Sequence, residues 1–153
     1  MTDDPSTLDC VAALDGPLLL SNGLNSFCLP LNKSDVMANN PRLWLYFEGI
    51  IGHGTSSILD VYINIPNDET ATDKHWAGSC ALYGMESSSS HSTSSHGDGL
   101  NHTIELTPIL ATLKQEGNWQ DNPLKVTLRS RQAFPHNASV IISHVSVLIE
   151  RAK

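Results

Sequence analysis

Side chains able to do chemistry gather between positions 80 and 102. Cys80, Met85, His91, His96 and His102 supply a thiol, a thioether and three imidazoles. Thioether and imidazole suit Cu(I), and imidazole also suits Cu(II), so the set is a candidate relay for transient copper binding. The competing reading is that the Ser- and His-dominated run from Ser87 through Gly99 is a solvated connector with no further role. No Ser-His-Asp order, Gly-rich phosphate loop or Cys-His zinc spacing is present. Cys10, Cys28 and Cys80 are odd in number and lack a Cys-x-x-Cys spacing, so at most one disulfide can form. Buried free thiols are the expected state. His53, between two glycines, reads as a turn residue, and His75 beside Trp76 reads as a packed or surface ring. Asp60 has no second carboxylate for acid/base work and reads as a hydrogen-bond acceptor on the polar face of a strand.

Short strands must position these groups. Residues 1–25 have no sustained period and are expected to form a loosely structured arm, with residues 26–153 as the folded domain. Ser26 to Leu31 predicts an edge strand, because Pro30 cannot donate to a ladder. Arg42 to Ile51 is rich in aromatic and aliphatic residues and stops at Gly52-His53-Gly54, as a core strand would. Ile58 to Ile65 alternates in period two and predicts a half-buried strand with Ile58, Asp60, Tyr62 and Asn64 on the polar face. Trp76 to Tyr83 is a further short strand. Leu106, Ile109, Leu110 and Leu113 recur at helical spacing, with Thr107 as a possible cap, predicting one short helix near Leu106 to Lys114. Leu124 to Arg129 and Ser139 to Glu150, the latter interrupted at Ser143-His144, read as a long hairpin turning at Ala133 to Asn137. The fold class is all-β: an antiparallel β-sandwich of about six to eight strands with one short helix.

Composition narrows the function classes. At 153 residues and 40% hydrophobic content the chain can bury a core as one domain. A net charge of −7 excludes a protein built to hold nucleic-acid phosphates. Its longest apolar runs fall far short of the roughly 20 residues that span a bilayer, so no membrane partner is expected. The acidic start, Met1-Thr2-Asp3-Asp4-Pro5, lacks the pattern of a secretory signal, and a cytoplasmic or partner-assisted exported location is expected.

The order of the motifs resembles the C-terminal domain of plant-type polyphenol oxidases, named for its Lys-Phe-Asp-Val motif. Leu45-Tyr46-Phe47-Glu48-Gly49-Ile50 precedes Leu59-Asp60-Val61-Tyr62-Ile63-Asn64, then Trp76-Ala77-Gly78-Ser79-Cys80, a His-containing loop, Ile104 to Leu110, Val126-Thr127-Leu128 and Val147 to Glu150. These matches run in one order from about Arg42 to Glu150. The family's leading Lys-Phe is Ile58-Leu59 here, and its basic loop is replaced by Ser and His.

The resemblance implies a non-enzymatic role: a lid, or caddie-like chaperone, packing over the dicopper site of a tyrosinase or polyphenol oxidase and keeping it latent. Type-3 copper needs six histidines grouped on helices, and the seven here lie almost entirely in expected loops and strands. The chain is thus expected to hold no cofactor of its own, with copper belonging to the partner catalytic domain. That partner would be a separate subunit or the remainder of a polypeptide from which this domain is released. The resemblance also implies a side chain that fills the phenol pocket. Tyr83 is the first candidate because a phenol mimics the substrate, with Met85 and Leu82 next. The alternatives are a free-standing binding module with Trp44, Trp76 or Trp119 as stacking platforms, and a small copper carrier.

Overall fold

Period-two patterning decides the layers. In the strand β4 (Arg42–His53) Leu43, Leu45 and Phe47 are buried, while Arg42 and Glu48 face solvent. The computed structural model describes residues 6–22, 24–31, 42–55, 57–65, 75–83, 85, 99–115 and 124–152. Besides β4 these form β1 (Ser6–Ala13), β2 (Leu18–Leu19), β3 (Leu24–Leu29), β5 (Ile58–Ile63), β6 (Trp76–Ala81), β7 (Leu100–Glu105), α1 (Thr107–Gln115), β8 (Leu124–Ser130) and β9 (Ser139–Ala152). One sheet has the order β1-β9-β4-β7, with β2 also pairing β9, and the other has the order β3-β8-β5-β6. Every pairing is antiparallel. Inward side chains of both sheets meet in one core that includes Leu45, Phe47, Val61, Ile63, Val126 and Val147. The protein is an all-β sandwich, as the patterning predicts. Among the described residues no helix is long and apolar enough to cross a membrane.

Several local readings change. The expected loose arm contains β1, paired with β9 from Ser6↔Ala152 to Ala13↔Ser146, and β2. Its backbone is ordered by the long neighbour rather than by its own polar, irregular sequence, which raises the strands to nine among the described residues. Strand β9 is not interrupted at Ser143-His144. It changes face there: Val145, Val147 and Ile149 are buried on one side of that point, and Val140 and Ile142 on the other. The switch lies opposite Glu48-Gly49, where the β4–β7 register shifts between Phe47 and Ile50. Gly49 takes φ 68, donates its N–H to Asn101 Oδ1 at 2.9 Å, and accepts from Ser143 Oγ at 2.9 Å. A bulge flips the side-chain parity of a strand, and glycine enters the left-handed region without strain.

Strands β8 and β9 are not a hairpin either, because they belong to different sheets. The turn signals around Pro135 mark a reversal, closed by Ala138 N–H to Pro135 O at 3.0 Å, but say nothing about which sheet the chain rejoins. Strand β5 stops at Ile63 rather than Ile65 because Asn64 turns with φ 53. It is buried on both faces, not half-buried. Thr107 does not cap the helix: its hydroxyl accepts the Leu43 N–H at 3.0 Å and fastens α1 to β4. Leu106 and Leu110 then close one end of the core. Trp119 and the Ser87–Asp98 part of the Ser/His run lie outside the described residues.

Candidate functional site

Edge strand β6 and edge strand β7 lie together on one side of the sandwich. They approach closely at Gly78, where an added Cβ would stand 3.1 Å from Ile104 Cγ2. Ala77 and Ser79 flank that approach, and the β5–β6 register shifts beside it, between Val61 and Tyr62. The turn beyond β6 holds the three candidate pocket-filling residues, and it treats them differently. Leu82 and Met85 are fully buried. Tyr83 between them is 84% exposed.

Local hydrogen bonds fix this turn. Leu82 N–H donates to Ser57 O at 3.0 Å, and Met85 N–H donates to Leu82 O at 2.9 Å. The His102 imidazole of β7 meets Ala81 O, the last carbonyl of β6, through Nε2 at 2.9 Å. A carbonyl only accepts, so Nε2 carries the proton and donates. Two buried anchors and three hydrogen bonds thus carry one phenol into solvent.

The candidate copper set does not assemble among the described residues. Cys80 is buried in the core, and burial pushes its thiol up to about 12, disfavouring the thiolate that binds metals. Met85 is also buried, and His102 spends Nε2 on Ala81. His91 and His96 lie outside the described residues. No group of three or more His, Cys, Asp or Glu side chains is arranged for a metal among the described residues. The expectation of uniformly buried thiols holds only for Cys80, because Cys10 and Cys28 point outward from edge strands β1 and β3 and are exposed.

The motif residues around Asp60 form a second constellation. Asp60 is only 5% exposed. Its Oδ1 accepts from Trp76 Nε1 at 3.0 Å and from Arg131 Nη2 at 2.9 Å, and its Oδ2 accepts from Arg131 Nε at 2.9 Å. The Arg131 hydrogen bond holds the carboxyl below the usual carboxylate range against the opposing effect of burial, and Trp76 adds to it. Val61 points into the core, and Tyr62 Oη accepts from Arg129 Nη2 at 3.0 Å. Arg129 and Arg131 were invisible as functional partners in the sequence, because only the β5–β8 register, with Asp60↔Arg129, brings them across. His75 is buried with Nδ1 2.8 Å from Ile63 O, a packed ring. Trp44 is no open platform: Arg42 lies 5.0 Å from its ring centroid and its Nε1 donates to Glu150 Oε1 at 3.1 Å.

The chain is 26% identical over 106 residues to a tyrosinase from Hahella sp. (strain CCB-MM4), covering 69% of this chain and 23% of the tyrosinase. Its fold is similar to part of a recombinantly expressed latent aurone synthase, a polyphenol oxidase, with TM-score 0.56, 14% identity, and 89% and 26% of the two chains covered. The latent aurone synthase from natural source gives TM-score 0.51 at 16% identity, with 84% and 25% covered. This chain therefore spans about a quarter of the length of the relatives it matches. The sequence likeness ties it to tyrosinases, and the structural likeness shows the shared sandwich. Residues 19–150 match the family described as Domain of unknown function (DUF7868), and the chain belongs to that family.

Proposed function

We propose that this domain shields the dicopper site of a tyrosinase or polyphenol oxidase and holds the enzyme latent, with Tyr83 filling the phenol pocket. The observation that carries the reading is a phenol 84% exposed at the tip of a turn whose neighbours, Leu82 and Met85, are buried. Moving the apolar faces of an exposed ring into a concave apolar pocket is favourable. The anchored turn has already surrendered much of the freedom that docking would remove, so little ordering cost remains. A ring in the pocket excludes substrate and water together. The chain's sequence likeness to a tyrosinase and a fold shared with part of a latent polyphenol oxidase support the choice of partner. Copper in this account is held by the catalytic partner, and this chain supplies shape and contact area. Assistance in folding or copper loading would act through the same contact.

The test is co-expression with the tyrosinase catalytic domain of the same organism. The two are expected to co-purify, with monophenol oxidation suppressed at least tenfold and restored when the domain is removed. Failure to associate, or undiminished turnover in a stable complex, would contradict the proposal.

A further inference from the structure

We infer that His102 is a positioning residue that sets how firmly Tyr83 is presented. The inference rests on the shielding reading for its consequence, but its geometry is independent of that reading. Strands β6 and β7 are edge strands of opposite sheets, so no backbone ladder joins them. Their link is side-chain made: the Gly78–Ile104 approach, and His102 Nε2 donating to Ala81 O at 2.9 Å. Ala81 ends β6 and stands two residues before Tyr83. On its other side the turn is tied to the β5 end through Leu82 N–H to Ser57 O. The peptide leading to Tyr83 is thus held from both sheets at once. Without the imidazole the Ala81 carbonyl loses its hydrogen bond from the first sheet, and only side-chain packing, at Gly78 and around Leu82, still links the turn to that sheet. His102 therefore serves the site through backbone geometry, and needs no metal to do so.

The effect of losing the bond is local. A net neutral hydrogen bond corresponds to about a fivefold change in the open population of what it closes. In the isolated chain, His102→Ala is expected to speed amide exchange at Leu82 and Met85 about fivefold while Val61, inside β5, keeps its rate. His102→Gln, whose amide also donates, should restore most of the protection. Uniform acceleration across both sheets, or none at the turn, would overturn the inference.

A second arm uses the complex with the catalytic domain, scored beside Tyr83→Ala. If Tyr83→Ala releases activity, His102→Ala should release part of it, about fivefold above the latent level, with His102→Gln close to wild type. Full latency in His102→Ala under those conditions would refute the positioning role and leave the shield standing. Should Tyr83→Ala itself stay latent, the shield reading fails, and the exchange measurement still decides whether His102 braces the turn.

Discussion

Replacing Asp60 with Ala removes the acceptor of three hydrogen bonds at once, those from Trp76 Nε1 and from Arg131 Nε and Nη2. The magnitude follows from burial. The Asp60 side chain is 7% exposed and the Arg131 side chain 49%. Arg131 therefore regains water when its partner disappears, and no energy is assigned to its charge. What remains is the loss of a satisfied acceptor in the outer layer of the second sheet, reduced by the desolvation the carboxylate no longer suffers. The expected cost is about 2 kcal/mol, less than for a pair sealed from water on both sides. For a chain of this length that lowers Tm by about 4–8 °C, read by circular dichroism at neutral pH. Asp60→Asn, which keeps one acceptor for Trp76, should fall between the two.

The pH dependence carries a definite sign. The folded pKa of Asp60 lies below its unfolded value, so its stabilisation is fully present above the ordinary carboxylate pKa of about 4. It is lost as pH falls from there through the folded value, and wild type should lose Tm more steeply in that window than Asp60→Asn. A change under about 2 °C for Asp60→Ala, or parallel acid profiles for wild type and Asp60→Asn, would refute this reasoning.

Further expectations concern thiols and glycines. Under native conditions a thiol reagent should modify Cys10 and Cys28 promptly and Cys80 only at the rate of unfolding, because burial raises the Cys80 pKa to about 12 and hides the sulfur. Prompt reaction of all three would contradict the packing. Gly16 and Gly52 separate strain from collision. At Gly16, φ 95, an added Cβ meets nothing within 4 Å, so Gly16→Ala should cost only about 1–2 kcal/mol of conformational strain. At Gly52 the Cβ would lie 1.9 Å from Ser139 O, so Gly52→Ala should be markedly the more destabilising in urea melts, and equal losses would be inconsistent with the tight β4–β9 approach.

Much of the sandwich was legible because its central strands carry their own pattern. Leu43, Leu45 and Phe47 announce the inward face of β4, and Leu59, Val61 and Ile63 that of β5. Edge and crossover features were not. Strand β1 is ordered by β9, and the Ser143-His144 break in alternation was a face switch in a continuous strand, legible only beside Gly49. The destination of the chain after Pro135 depends on long-range packing. In the turn after β6, the sequence singled out Tyr83 only by its phenol; its exposure and the burial of Leu82 and Met85 were not legible, since a residue after a strand can face either way. The same limit made His102 and Cys80 look like ligands: one is engaged by a neighbouring strand's carbonyl and the other by the core.

The shielding claim is tested most directly by Tyr83→Ala in the complex with a tyrosinase catalytic domain. Assembly by co-purification and the rate of monophenol oxidation are measured on the same sample. The rest of the interface should keep the complex intact while the pocket opens, so activity should rise at least tenfold with binding almost unchanged. Tyr83→Phe, which keeps the ring, should stay latent. A Tyr83→Ala complex that assembles normally and remains as latent as wild type would contradict the account.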